Sequence, residues 1–281
     1  MGVVLLVTKT PLAKRLARED RERLACSGVL DPLRLAASES CQEIALAAVR
    51  QALNGLTVRE RRIDEVTAAD AADAALVVTV GGDGTVFTAN TVETPAPFLT
   101  VNSDPERSVG HFTRFNAGNV ADAIAAWRTG TARHEALPRL AITVGTERHC
   151  ILNDCLFTHT NPAVLCRYML ATAEVREFQR SSGVWIATAA GSTAAYRSAG
   201  GEPVTSPEPA LLFRVREPFL AREPATLLDG RQLPPRVLRL TPAIPGMALY
   251  LDGPNRTVEV PPGLTVEITA AAEPLRLIRL P

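Results

Sequence analysis

The stretch Val77-Val78-Thr79-Val80-Gly81-Gly82-Asp83-Gly84-Thr85 restricts the possible folds more than any other segment. Its apolar half is too short and too β-branched for a helix and reads as a buried strand. The strand empties into three glycines around one carboxylate, with a hydroxyl after them. Glycine lets a backbone turn with positive φ and lets a ligand come close. Free N–H groups in such a turn form an anion cradle suited to phosphate. Gly, Asp and Thr are ordinary turn residues too, but a plain turn has little need of three glycines. The segment therefore predicts a phosphate site at the end of a buried strand, with Asp83 beside it as a base or an indirect Mg²⁺ ligand.

Around this segment, strand-like and helix-like stretches alternate. Val3 to Val7 reads as a first strand and Thr57 to Arg61 as a second. Between them, Leu35 to Leu53 has apolar residues at helical spacing, with Ser38 or Ser40 as N-cap and Asn54-Gly55 as the stop. Ala68 to Ala75 is a short turn or helix before the Leu76–Val80 strand, and Phe98 to Val101 is another strand ending at Asn102-Ser103-Asp104-Pro105. This βαβ rhythm predicts an α/β doubly wound parallel sheet. Such sheets bind ligands outside the carboxyl ends of their strands, where Asp83 and Asn102 fall.

After a helix from Asn119 through Trp127, the texture changes. Leu140–Val144, His149–Leu152, Tyr168–Phe178, Val184–Thr188, Ala210–Arg216, Val237–Leu240, Ala248–Leu251 and Leu264–Ile268 are short strand candidates. Many are separated by Pro and Gly, as in an all-β domain, and only Gly191 to Ala199 reads as helical there. A chain of 281 residues exceeds the usual single-domain size. Two domains are expected, residues 1–117 and 118–281.

Composition removes several function classes. Formal net charge is zero, so neither nucleic acid nor an acidic membrane is an expected partner. Of 30 basic residues only Lys9 and Lys14 are lysines. A P-loop needs a lysine after its glycines, which excludes a Walker-type nucleotide hydrolase. The cysteines at 26, 41, 150, 155 and 166 form no CxxC pair, and their odd number points to reduced thiols. Histidines 111, 134, 149 and 159 have no metal-site spacing, so no protein-held metal is expected. With no leader pattern and no bilayer-length apolar run, a soluble cytoplasmic protein is expected.

Three further clusters lie on predicted turns. Asn153-Asp154 follows the apolar Ile151-Leu152, and a carboxylate beside an amide can hold a vicinal diol, although such pairs are also common turns. Thr188-Ala189-Ala190-Gly191-Ser192-Thr193-Ala194-Ala195-Tyr196-Arg197-Ser198-Ala199-Gly200-Gly201 reads as a strand that breaks at glycine and starts a helix. Small residues there admit a flat ring, and a helix start favours phosphate. The alternative is a capped helix docked closely on a sheet. Ser192 is no hydrolase nucleophile, because the GxSxG elbow is absent and no histidine follows it. Asp252-Gly253 lies between apolar strands and reads as a hairpin turn.

In that order, the clusters resemble the motifs of the NAD kinase family: GGDGT after a strand, an Asn followed by an acidic residue, a TPTGSTAYxxSAGG segment, and a late Asp-Gly. Gly81–Thr85, Asn153-Asp154, Ser182-Gly183 with Thr188–Gly201, and Asp252-Gly253 carry the match across nearly the whole chain. Val3–Thr10, Asn102–His111, Ser181-Ser182-Gly183, Leu212-Phe213 and Arg216-Glu217-Pro218 are most similar to the mitochondrial-type NAD kinases of animals. With no transit segment, the chain resembles a bacterial member of that branch.

The resemblance implies an N-terminal Rossmann-like domain and a C-terminal β-sandwich domain, assembled as a homodimer or homotetramer. It implies transfer of the ATP γ-phosphoryl group, with Mg²⁺ or another divalent cation, to the 2′-hydroxyl of the adenosine ribose of NAD. By that match Asp83 is the catalytic base, and Gly81, Gly82, Gly84, Thr85 and Asn102 hold ATP phosphates. Asp83, Gly84, Asn153, Asp154, Arg180, Ser182, Ala190, Thr193, Ala194 and Ser198 contact NAD.

The chain departs from the family pattern in three places. Asp154 replaces the commoner Glu, Ser182 replaces the aspartate of a DG pair, and Ala195 stands where an aromatic is usual, with Tyr196 one place later. One residue turns a helical side chain by about 100°, so Tyr196 is no simple substitute. Two alternatives share these features: an idle NAD(H)-binding regulator, and a GGDGT-type lipid kinase. Retention of Asp83 argues against the first, and the GSTA and SAGG segments argue against the second.

Overall fold

The computed structural model describes residues 2–204, 208–219 and 225–281. The chain forms two compact units, Met1–Glu135 with Arg276–Pro281, and Ala136–Leu275.

In the first unit the elements are β1 (Val3–Thr8), α1 (Leu12–Arg15), α2 (Arg18–Cys26), α3 (Pro32–Ala52), β2 (Val58–Arg62), α4 (Ala68–Ala71), β3 (Ala74–Gly81), α5 (Asp83–Asn90), β4 (Phe98–Asn102), α6 (Val120–Thr129) and β5 (Arg133–Leu137). The last strand of the chain, β18 (Leu275–Arg279), returns to this sheet, whose order is β2-β1-β3-β4-β18-β5. The pairs β1–β2, β1–β3, β3–β4 and β4–β18 are parallel. Strands β1, β3 and β4 are buried almost throughout, as a parallel sheet covered on both faces requires. Val4, Leu6, Val78, Val80, Leu99 and Val101 share a core with Ala45 and Val49 of α3 and Ala123 and Ile124 of α6.

The expected boundary after residue 117 falls too early. Helix α6 buries Val120, Ala123 and Ile124 in the core of the first unit, so it belongs to that unit. The start of α3 also differs from the expectation at Ser38 or Ser40. Asp31 is the N-cap, its Oδ1 accepting from Leu33 N at 2.9 Å and Arg34 N at 3.3 Å, with Pro32 in the first turn.

The second unit contains β6 (Leu140–Val144), β7 (Glu147–Ile151), β8 (Asp154–His159), β9 (Cys166–Ala171), β10 (Arg176–Ser181), β11 (Val184–Ala187), a 3₁₀ turn (Ala190–Thr193), α7 (Ala195–Ser198), β12 (Leu211–Val215), β13 (Asp229–Gln232), β14 (Leu238–Pro242), β15 (Met247–Leu251), β16 (Thr257–Val260) and β17 (Val266–Ala270). They form two six-stranded sheets, ordered β10-β9-β14-β17-β6-β7 and β13-β12-β11-β8-β15-β16. Strand β9 shows the governing pattern: Cys166, Tyr168 and Leu170 are buried, and the residues between them are not. Inward residues from both sheets, among them Ile142, Phe157, Tyr168, Val184, Phe213, Leu249 and Ile268, make one apolar core. The expected single strand Tyr168–Phe178 is instead the hairpin β9–β10, with Phe178 opposite Met169.

Candidate active site

The order of the first sheet places its chain reversal beside β1. Strand β2 lies on one side of β1 and β3 on the other, and the crevice at such a switch point is the usual ligand seat of an open α/β sheet. The carboxyl end of β3 carries Gly81, Gly82 and Asp83 there, and α5 starts at Asp83 with Gly82 as its N-cap.

The glycines do not do what the sequence suggested, because none of Gly81, Gly82 and Gly84 has positive φ. Gly81 is needed for close packing, since a Cβ on it would lie 2.1 Å from Thr85 Oγ1. Gly84, by contrast, is exposed, and a Cβ there would meet nothing within 4 Å. Thr85 is buried, its N–H bonded to Gly82 O at 3.0 Å.

Asp83 is gripped by backbone. Its Oδ2 accepts from His111 N at 2.9 Å and its Oδ1 from Phe112 N at 2.8 Å. Phe112 is fixed in turn, its O accepting from Thr100 Oγ1 at 2.9 Å and its ring meeting Phe87 edge-on at 5.2 Å. Asp83 and Phe87 stand one helical turn apart on α5, so both reach the same loop. Each carboxylate oxygen has a second lone pair, and these stay available for an incoming hydroxyl. Asn102, expected at phosphate, is 8% exposed, and its Oδ1 accepts from Asp104 N at 3.1 Å. Gly110 takes φ +63 and lies so close that a Cβ would meet Asn102 Nδ2 at 2.3 Å.

In the second unit, Asn153, Asp154, the Thr188–Ser198 segment and Asp252 come together. Thr188 N donates to Asn153 O at 3.0 Å, and Thr188 Oγ1 donates to Leu152 O at 2.8 Å while accepting from Gly191 N at 2.9 Å. Gly191 is indispensable here, since a Cβ on it would lie 2.0 Å from Asn153 O. Asp252, read from sequence as a hairpin turn, holds this junction. Its carboxylate turns inward to accept from Leu152 N at 2.9 Å and Asn153 N at 2.7 Å, and its own N–H donates to Asp154 O at 2.8 Å. It does so at φ +50, a left-handed conformation that Asp tolerates.

Two carboxylates are thus buried close together. Burial, and then the charge of Asp252, push the Asp154 carboxyl up to about 7, against a hydrogen bond from the Ala195 N–H. Burial raises Asp252 to about 6 despite its backbone donors. Asn153 Nδ2 donates to Asp154 Oδ2 at 3.1 Å, so amide and carboxylate present their edges as a pair.

Thr193 and Ser198 are exposed and Ala190 and Ala194 half-buried on the adjoining segment, which is a 3₁₀ turn followed by one helical turn. Ser192 is fully buried, its Oγ donating to Ala189 O at 2.7 Å and accepting from Val204 N at 2.9 Å, so it is structural. Tyr196 packs with Ala187, Ala210 and Leu212 beneath Gly201. Arg180 and Ser182 do not join the cluster. They precede β11, whereas Thr188 follows it, and Asp154 lies opposite Ala187 at that far end. Gly183 and the four residues of β11 lie between Ser182 and Thr188, and Ser182 meets Thr158 instead of Asp154, its O accepting from Thr158 Oγ1 at 2.9 Å. Arg180 instead lies over the Phe219 ring at 5.2 Å.

No family model matches the chain. A probable NADH kinase of Oryza sativa subsp. japonica is 32% identical over 233 residues, covering 73% of this chain and 71% of that protein. An NAD kinase of Nocardia farcinica is 30% identical over 231 residues, covering 78% of this chain and 68% of that one. The crystal structure of yeast NADH kinase complexed with NADH superposes with a TM-score of 0.71 over 99% of this chain and 83% of that one, at 16% identity.

Proposed function

The chain belongs to the NAD kinase family, and on that premise we propose that it phosphorylates NAD with ATP to give NADP and ADP, with Asp83 as the general base. The observation that carries this assignment of the base is the grip of two backbone N–H groups on Asp83 at the carboxyl end of β3. They fix the carboxylate without occupying all its lone pairs. The 2′-hydroxyl of the adenosine ribose gives its proton to an Asp83 oxygen as its own oxygen bonds to the γ-phosphorus. The bond from that phosphorus to the bridging oxygen breaks, and the electron pair leaves with ADP. A positioned base of this kind contributes roughly 10²–10⁴-fold; the remainder is alignment and charge neutralisation. The open space at Gly84 supports a phosphate passing close to the start of α5. Asn102 serves this site by holding the 102–112 loop through Asp104 N.

A divalent cation, when bound, neutralises charge on the phosphates. Among the described residues no group of three or more His, Cys, Asp or Glu forms a cage. Where such an ion binds, Asp83 would hold it through a water and the phosphates would carry the rest of its coordination.

For the second unit we assign the ribose hydroxyls to Asn153 and Asp154, and the pocket wall to Ala190, Thr193, Ala194 and Ser198. Arg180 and Ser182 precede β11 at the end away from that wall, so their NAD contacts go with a homodimer or homotetramer in which a second subunit supplies them. The parallel order of the first sheet and the shared core of the two others support a Rossmann-like domain and a β-sandwich. Thiols outside any disulfide at Cys26, Cys41, Cys155 and Cys166 fit the cytoplasm, and among the described residues no helix is long and apolar enough to cross a membrane.

The test is Asp83→Asn, assayed for NADP formation and for NAD binding by calorimetry. NAD affinity should stay within about threefold while turnover falls by about 10²-fold or more. Full activity removes Asp83 from the mechanism.

A further inference from the structure

Helices α2 and α3 form a hairpin whose turn contains Gly28 at φ +72. Between them lies a groove of about 420 Å³, in the lower part of the ~300–1,000 Å³ range of small-molecule sites. Arg18, Arg21, Glu22 and Ala25 of α2 line it, and so do Pro32, Leu35, Ala36 and Glu39 of α3. Each set falls at i, i+3, i+4 and i+7, so each is one face of its helix. Leu30, in the turn, is a further lining residue.

The two faces do not match. That of α3 is apolar over Pro32, Leu35 and Ala36, whereas α2 offers only Ala25. Such faces cannot close on each other without burying charge beside aliphatic surface, which is unfavourable. Accordingly no residue of α2 is buried, Leu35 is only half-buried and Ala36 is exposed. The charges of the groove leave one remainder. Arg18 pairs with Glu22 at 2.8 Å, and Glu39 with Lys14 at 3.3 Å. Among the described residues Arg21 is in no ion pair, and its Nε is buried with no hydrogen-bond partner. A buried N–H without an acceptor is costly. The planar guanidinium matches a carboxylate, which can accept two of its N–H groups at once.

We propose that this groove binds an aliphatic carboxylate, its head on the Arg21 guanidinium and its chain against Ala25, Leu30, Leu35 and Ala36. The carboxylate supplies the acceptor that Arg21 Nε lacks, and the chain supplies the apolar surface that α2 does not. No residue assigned above to NAD or ATP lines the groove, so binding there is independent of the kinase reading. The bound chain ties α2 to α3 and stabilises that helix against local opening.

The test is calorimetry of the full chain with decanoate, in wild type, Arg21→Met, Ala36→Trp and Arg23→Met, with circular dichroism to verify folding and sedimentation to read the assembly. Wild type should bind one decanoate per chain. Acetate, which has no aliphatic tail, and decyltrimethylammonium, which has the opposite charge, should bind at least about tenfold more weakly. Arg21→Met should weaken decanoate by about tenfold or more, and Ala36→Trp, whose indole enters the groove from an exposed position, should abolish binding. Arg23→Met, on the same helix but paired with Asp20 and not a lining residue, should keep the affinity within about twofold. Decanoate should also slow hydrogen exchange over Arg18–Cys26 in wild type and not in Ala36→Trp. If wild type does not bind decanoate, if decanol binds as tightly, or if Arg21→Met binds as wild type does, the groove is no carboxylate site. A changed sedimentation coefficient in Ala36→Trp without ligand would seat a second copy of the chain there and would equally overturn the assignment.

Discussion

The sharpest consequence of the Asp154–Asp252 pair is a stability profile that falls as pH rises. Asp154 is 6% exposed, and burial beside Asp252 raises its carboxyl from 3.8 to about 7. The unfolded chain releases this proton near the ordinary value, whereas the folded protein keeps it up to about 7. Between those values the folded state binds more protons, so its stability declines with rising pH by ~1.4 kcal/mol per unit and levels off above the folded pKa. Asp252, raised to about 6, adds its own decline below that pH. A window from about pH 6 to about pH 8 therefore takes in the whole Asp154 titration, for a loss of about 1.4 kcal/mol from that group, and only the smaller upper half of the Asp252 titration.

Asp154→Asn abolishes that loss. Its amide would face the Asn153 Nδ2 donor, a mismatch of about 1–2 kcal/mol, but that penalty is the same at both pH values and cancels in the difference. The assay is urea unfolding followed by Trp185 fluorescence in a Trp127→Phe background, since Trp185 lies on β11, opposite Leu156 in the strand that Asp154 begins. The quantity to compare is the drop in unfolding free energy across the window. Equal drops in parent and variant would refute the claim that Asp154 is the buried titrating group.

Two further substitutions separate packing from ligand binding at glycine. Gly84→Ala meets no protein atom within 4 Å, so thermal stability should hold or rise by up to about 1 kcal/mol, while kcat/KM for ATP should drop by about tenfold or more as a methyl enters the phosphate path; an undiminished kcat/KM would show that nothing approaches there. Gly191→Ala drives a Cβ to 2.0 Å from Asn153 O and should destabilise the second unit by about 3 kcal/mol or more, seen as an early Trp185 unfolding transition, which an unshifted curve would contradict.

The sequence by itself determined the parts whose chemistry is local. A β-branched run into glycine specified β3 and the start of α5, and the alternation of strands and helices specified a parallel sheet with Asp83 just past the carboxyl end of β3. Asp252-Gly253 was legible as a turn, since Asp and Gly both accept the left-handed backbone found there. Other features were hidden because they depend on atoms that every residue shares. His111 and Phe112 hold Asp83 through backbone N–H groups, and no side-chain pattern announces a backbone donor. Asp252 reaches Leu152 and Asn153 across about a hundred residues of chain, and only the pairing of β15 with β8 brings it there. Arg21 could be counted from the sequence, but its groove comes from α2 and the start of α3 facing each other. The glycine turn was likewise half read. Residue type named the positions, while tertiary packing decided that Gly81 is small for the sake of Thr85 and that Gly84 is small with no protein neighbour to require it. Local sequence sets backbone preference and pattern; burial, partners and the pKa values of the carboxylates arise only when distant segments displace water from one another.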